Sequence, residues 1–558
     1  MIFSRNRCLA LGLIAFSLPL AVQANQSLSS PGFARTTGGT VNHGSAHASG
    51  YNPAGNNLLI APGKSTRFGI LSNIGVSLEL GESEDLDDKM DLLVDDLDAL
   101  DILDDWENVG TEDRQFAEEQ FARFGDCTLD STDTNRPDGD TRAACYQGVA
   151  DSINNDLLAD LEKGGQIRFG AHASLPLMPF LFRVGDNGSM GLNVGAGVQS
   201  RGDFVGDRFG VRSNFSVGGN DVGSLNIDTG QIGAVYVALD DFVETYDETD
   251  PEADLNKLAD DLVSIGLSSA DVQVIRDIAD DYGNNIYTDD LEAEAELTTK
   301  SSFDFKTAAL AQLSINYAHN LTSAFRLDPL HGELEIGTRL NYFQARMYRS
   351  FVSFEDMAED DDDDDAFDKA VDDFTDYENS ASAMGLDIGL LWHARNYQVG
   401  ATLYNINEPR FDYPDLNDFL EDRALDAAQS LAAAGKVTMA ESAKLRRHAV
   451  LEAAVFNSSR NLMLNTWYTV GKASNLVNDE FQNVGVSAGY YTQSWLIPGV
   501  RLGYNKNLTG TELDIVSLGV TLFGIFNLDL AASTQTSSFD DDEAPRYIAF
   551  SFGFERKM

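Results

Sequence analysis

Beyond residue 24 the chain never gathers the ~20 consecutive apolar residues that a membrane-spanning helix requires, which excludes a helical inner-membrane protein. Basic residues are scarce too, with 39 lysines and arginines against 89 acidic residues and a formal net charge of −50. Nucleic acid is a polyanion held through basic patches, so this balance excludes DNA or RNA as a partner. Cysteine is nearly absent: only Cys8, Cys127 and Cys145 occur, with no Cys-x-x-Cys, which excludes thiol–disulfide exchange chemistry. There is no P-loop, nucleotide fingerprint or defensible Ser-His-Asp set. The glycines of "GLNVGAG" sit in strand-like alternation rather than ahead of a helix, and an enzyme is not expected.

What the first residues do contain is an export signal. Arg5 and Arg7 precede the apolar run "CLALGLIAFSLPLAV" and the small-residue ending "VQA", so residues 1–24 read as a signal peptide cleaved after Ala24. Cys8 leaves with it. In an oxidising compartment Cys127 and Cys145 are expected to pair, the alternative being two free thiols.

The last third of the chain alternates with period two. In "NVGVSAGYY", Val484, Val486, Ala488 and Tyr490 share one face and Gly485, Ser487, Gly489 and Tyr491 the other; Ile548, Phe550, Phe552 and Phe554 repeat the pattern. Sixteen segments read as strands, the weakest being 210–217 and 231–239. Without that pair the count is 14, within a range of 12 to 16. A soluble sandwich could also alternate, but connection lengths separate the two. The long insertions 81–165, 240–306, 346–383 and 407–448 all follow odd-numbered strands, while "HARNYQ", "NSSRN", "SWLIP" and "FGIF" are tight. That asymmetry predicts an all-β transmembrane fold, an antiparallel outer-membrane barrel in residues 65–558 with short turns at one end and long loops at the other.

The loops carry the acid. Residues 81–163 hold 26 acidic and 6 basic residues, and Asp360 to Asp365 is an unbroken run, which reads as a solvated, self-repelling surface or as carboxylates available to divalent cations. Leu86, Met90, Leu93, Leu97 and Leu100, and Leu255, Leu258, Leu262 and Ile265 behind Asp250 and Pro251, follow helical spacing. Short amphipathic helices over the barrel mouth are expected, with a further one from "EDRALDAAQSLAAAG" and residues 439–447. Asp133, Asn135, Asp138 and Asp140 lie between the two cysteines and vaguely suggest a calcium loop, but their spacing is not that of an EF-hand. No other cofactor is expected. His43 and His47 lie four apart in a Gly-Ser-Ala segment without carboxylates, where a solvated leader is the plainer reading than metal binding.

On the strand from Glu333 to Ala345, Leu334, Ile336, Leu340 and Tyr342 share a face, so Glu335, Arg339 and Asn341 should point into a wet lumen, as should Arg168 and Asp387. Charge facing lipid would cost about 2 to 4 kcal/mol at mid-depth. A structural salt-bridge ladder is one role for them, a ligand-facing patch another.

Residues 25–64 form a polar leader rich in Gly, Ser, Ala and Asn. It either stays unstructured or folds back into the lumen as a hatch. Its "GYNPAGNNLL" is turn-prone, because proline fixes one torsion and glycine permits close backbone approach. This leader, with Asn52, Pro53, Ala54 and Gly55 ahead of "NNLL", resembles the hatch of the FadL-type outer-membrane family, which transports hydrophobic compounds. The ending "VSLGVTLFGIFNLDLAAS" and "YIAFSFGFE" resembles the conjugal-transfer TraF-type branch, distinct from the thioredoxin-like protein sharing that label. The resemblance implies a 14-stranded barrel plugged by a hatch containing those four residues. The functional expectation is passive uptake or binding of small hydrophobic molecules at the outer membrane of a Gram-negative bacterium, in contact with lipid and lipopolysaccharide. A conjugation or envelope-assembly component anchored by the barrel is the alternative, with its protein partners unknown, and a secreted calcium-binding β-protein is a second.

Overall fold

The computed structural model describes residues 45–555 with Thr36 and Val41, apart from several internal stretches, the longest being 83–91, 246–250, 283–290, 323–331 and 354–379. The signal segment 1–24, His43, the aspartate run 360–365 and the repeat from Leu86 to Leu100, Leu86, Met90, Leu93, Leu97 and Leu100 themselves included, lie outside the described residues.

Fourteen strands form the frame: β1 (Leu71–Leu80), β2 (Gln166–Ser174), β3 (Gly188–Val205), β4 (Ser302–Asn320), β5 (Glu333–Ser353), β6 (Ala381–His393), β7 (Tyr397–Tyr404), β8 (His448–Phe456), β9 (Leu462–Val470), β10 (Asn483–Tyr490), β11 (Gly499–Asn507), β12 (Asp514–Leu522), β13 (Phe526–Ser533) and β14 (Tyr547–Phe554). Each pairs antiparallel with its sequence neighbour, and β14 returns to β1 through pairs running from Leu71↔Phe554 to Glu79↔Tyr547. The ring is therefore a closed antiparallel barrel, whose closure pairs the strand edges that lipid could not hydrogen-bond, save for one local gap between β1 and β2.

The side chains are distributed inside out. Leu340 on β5 is 45% exposed while its neighbour Arg339 is 3% exposed; Leu464 on β9 is 50% exposed and Asn465 1%. Leucine, isoleucine, valine and tyrosine stand outward all around the wall, while Gln312, Asn316, Asn505, Arg501 and Asp529 are buried within. A water-soluble barrel would reverse this, because apolar area costs about 25 cal/mol per Å² when left in water. The outward belt is the surface a bilayer covers. No helix among the described residues is long and apolar enough to cross a membrane.

Connections at one end are short (394–396, 457–461, 523–525), and every large insertion lies at the other. Two of the strand expectations need correction. Residues 231–239 are helical, not a strand: α3 (Ile232–Thr245) places Ile232, Val235, Leu239 and Phe242 at steps of three and four, so its apolar period is helical. Residues 210–217 do form a strand, Phe209–Val217, but it belongs to a separate three-stranded sheet with Asn220–Asp228 and Leu291–Thr299. The insertion between β3 and β4 consequently spans 206–301.

The insertions fold. α1 (Thr111–Phe121) and α2 (Gly139–Ser152) share a core with Trp106, Phe204 and Phe209, and the bonded pair Cys127–Cys145 is buried in it. α3, α4 (Pro251–Ile265) and α5 (Gln273–Tyr282) enclose a second core with the small sheet, built on Leu225, Leu255, Leu262 and Ile275. α6 (Asp422–Ala433) packs Ala428 and Leu431 against Phe351 at the top of β5, as the alanine-rich run suggested; residues 442–444 downstream are a short strand rather than helix, paired with 410–412.

Candidate functional site

Residues 45–60 fold back inside the barrel and are not a solvated leader. Ser45 caps a short 3-10 turn (Ala46–Gly50), the Asn52 side chain accepts from the Ala54 amide at 3.0 Å to start a second (Pro53–Gly55), and one helical turn (Asn56–Leu59) completes the hatch. Asn52, Pro53, Ala54 and Gly55 are all buried. Two wall glycines make the seat. Gly337 on β5 and Gly389 on β6 pair across the ladder, and a Cβ on either would overlap the hatch: the Ala54 backbone in the first case, the Asn52 side chain in the second. Gly55 in turn is pressed against Val41, where a side chain would collide.

Polar bolts fix the hatch to the wall. Arg339 donates to the Gly50 carbonyl (2.6 Å) and to Asp387 (2.8 Å), while Asn341 and the Asn405 amide donate to the same carboxylate at 2.8 and 2.7 Å. Asp387 is thus satisfied three times over, which buried charge requires. Glu452 on β8 accepts from the Val41 amide at 2.8 Å and the Asn52 amide group at 2.7 Å, Gln398 on β7 donates to the Val41 carbonyl at 2.6 Å, and Tyr404 donates to the Tyr51 carbonyl. Glu555, just past β14, accepts from the Ala46 amide and from Arg67, both at 2.7 Å. Thr36 donates to Asp529, which also pairs with Arg501 at 2.9 Å.

Of the residues singled out from sequence, Glu335, Arg339, Asn341 and Asp387 face the lumen on adjoining strands. Glu335 accepts from Asn57 of the hatch at 2.7 Å. Arg168 sits higher, bonded to Glu79 at 3.2 Å and to Asp479 of the 471–482 insertion at 2.8 Å. With Arg201, His172 and Trp467 these groups line a cavity of about 630 Å³ that runs from Tyr51 of the hatch towards the insertions. It offers charge and amide groups rather than an apolar pocket. Asp133 closes a turn with Asn135, Asp138 caps α2 and Asp140 lies in that helix's first turn. His47 lies in the hatch beside Arg67 and Glu555. Sequence reading missed Glu452, Arg67 and Glu555, because a single inward residue on a 9-residue strand, on the three-residue strand Thr66–Phe68, or just beyond a strand's end carries no periodic signature until the hatch supplies its partner.

Beside the hatch the wall is incomplete. The β1–β2 ladder stops at Gly75↔His172, and pairing resumes only where residues 66–68 meet Phe180–Phe182. No ladder pair joins residues 71–74 to 173–178. On one side of this interruption Leu175 and Leu177 are exposed, and below it Phe68, Phe180 and Phe182 cluster at 5.8–6.4 Å between ring centroids.

Among solved structures, the chain is similar to a TodX variant described as a monoaromatic hydrocarbon channel (9% identity, covering 94% of this chain and 98% of that one, TM-score 0.36). It is similar also to the toluene transporter TbuX of Ralstonia pickettii (9% identity, 95% and 99% covered, TM-score 0.34). A siderophore receptor, PiuA of Acinetobacter baumannii, matches at 10% identity over 69% of this chain and 49% of its own, with a TM-score of 0.22. No curated protein matches the sequence. The family model for the F plasmid transfer operon TraF protein matches residues 50–483, from the hatch through the first nine strands, and the chain belongs to that family.

Proposed function

We propose that the protein is a passive outer-membrane conduit for small, mainly hydrophobic molecules, exported by its cleaved signal peptide, with the insertions outside the cell and the hatch on the periplasmic side. The observation that best supports this is the interrupted β1–β2 ladder with its apolar flanks. Among the described residues the lumen cavity offers an apolar solute charged and amide groups beside its apolar ones, whereas between acyl chains and an apolar slot it can pass without meeting bulk water. The hatch backs the slot: Gly69 lies against the Met178 carbonyl and the His47 ring. The acidic insertions would hold the outer end hydrated and bridge divalent cations to lipopolysaccharide.

The test bridges the slot. Asn73→Cys with Ala173→Cys, joined by a bifunctional maleimide in outer membranes of a deletion strain, should reduce entry of an apolar fluorescent dye several-fold relative to the unbridged double variant. Unchanged entry would overturn the wall route.

A second reading, an envelope-assembly anchor consistent with the family's conjugal-transfer name, is favoured by the 206–301 module, whose own apolar core far exceeds what a barrel needs for closure. Co-purification of a stable partner that is lost on deleting 206–301 would support it.

A further inference from the structure

We propose that Glu333, Glu335 and His393 form a divalent transition-metal site, of the zinc class, at the hatch end of the barrel. Glu333 opens β5 and pairs directly with His393 at the end of β6, and Glu335 follows on the same inward face. One ligand atom from each residue falls within 4.8 Å of the others. His393 Nε2 lies 3.7 Å from Glu333 Oε2 and 3.7 Å from Glu335 Oε1.

That spacing argues against an ordinary ion pair. A hydrogen bond from an imidazole to a carboxylate closes to about 2.7–3.2 Å, and both contacts are longer. Metal–ligand bonds of about 2.0–2.2 Å in a tetrahedron set ligand atoms roughly 3.4 Å apart, close to what is found. His393 is only 8% exposed, and its Nε2 is buried without a hydrogen bond from any described residue. It is aimed at the two glutamate oxygens it cannot reach. A buried imidazole nitrogen in that position costs free energy that a cation would recover.

The outer shell is already built. Asn320 donates from one amide nitrogen to Glu333 Oε2 at 2.8 Å and to Glu335 Oε1 at 2.9 Å, the two oxygens nearest Nε2, and so orients them together. Glu335 Oε2 is held by Asn57 of the hatch at 2.7 Å. Glu333, with its side chain 44% exposed, leaves one side open for entry and for a water as fourth ligand. An imidazole with two carboxylates suits zinc, cobalt or nickel better than calcium, which prefers six to eight oxygens. A bound ion would tie β5 and β6 to the hatch through Glu335 and Asn57.

The experiment uses the full-length, untagged protein in detergent, stripped with chelator and titrated with Zn²⁺ in excess calcium, which occupies the carboxylate-only surface. One equivalent should bind with micromolar or tighter affinity, and Co²⁺ should give the visible absorption of a tetrahedral nitrogen–oxygen site. His393→Ala and Glu335→Gln should each weaken binding at least 100-fold, and Asn320→Ala, a positioning change, about 10- to 100-fold. Should either buried variant fail to fold, Glu333→Gln at the more exposed ligand keeps the test open, with an expected loss of at least 10-fold. Stoichiometric zinc absent from the wild type, or retained unchanged in His393→Ala or Glu333→Gln, would overturn the site.

Discussion

Gly337 and Gly389 face one another across β5 and β6, and their missing side chains are the space the Asn-Pro-Ala turn fills. Adding one methyl at either position forces an overlap with hatch backbone or with Asn52. Overpacking of this kind costs roughly 1–3 kcal/mol, and the hatch can relieve it by leaving its seat while the wall stays closed. Gly389→Ala should therefore raise single-channel conductance in planar bilayers and expose residues 45–60 to protease, with heat-modifiable gel migration retained. Arg339 and Asp387 make the opposite case. Removing one partner strands a buried charge at a cost of about 3–5 kcal/mol, whereas replacing both with apolar residues of similar size can be nearly neutral. Arg339→Met alone should lower the temperature of the gel-mobility transition markedly, and Arg339→Met with Asp387→Leu should recover most of it. If the double variant is no better than the single, the pair contributes more than charge compensation.

Single elements show how far sequence could go. The strand from Glu333 was legible because leucines and tyrosines alternate with charge, and the alternation states which residues share a face. It could not state which strand lies opposite, so neither the Gly337–Gly389 seat nor the Glu333–His393 pairing was visible. Residues 231–239 were misread because apolar residues crowd there densely enough to satisfy period two and period 3.6 together, and only the contacts of Val235 with the α4–α5 core decide between them. The Asp138 side chain accepts from the Thr141 amide at 2.7 Å and caps α2, a role hidden inside a run that resembled a cation loop. Hydrogen bonding from the Thr141 side chain first, and then from its amide, with a smaller pull from the nearby Arg142, holds the Asp138 carboxyl below its usual range. A depressed folded value means the cap's contribution is present above the ordinary aspartate pKa and fades as pH falls through the lower, folded one. Asp138→Ala should cost α2 about 1 kcal/mol or less at neutral pH, read as faster amide exchange over 139–152 with the barrel unaffected, and the difference from wild type should shrink in acid.

At the scale of the whole molecule the usual rule for cores is inverted. Leu464 and Asn465 are adjacent on β9, yet lysine at the first would face acyl chains and cost about 2–4 kcal/mol at mid-depth, while the second faces the lumen and donates to Ser487 on the neighbouring strand β10 at 3.1 Å. Leu464→Lys should depress reversible unfolding stability in lipid vesicles by that amount, and Asn465→Ser should lower it by no more than about 1 kcal/mol. Equal sensitivity at the two positions would mean the outward belt is not in contact with lipid.

An even number of strands returns the polypeptide to the rim from which it set out, so the residues leading into β1 and those following β14 share a compartment, and each of the large insertions opens onto the other. With the orientation proposed above, a protease added to intact cells should cut in the Cys127–Cys145 loop or the α4–α5 module and spare the Asn-Pro-Ala turn, and an epitope placed after Glu555 should stay silent to antibody until the envelope is breached.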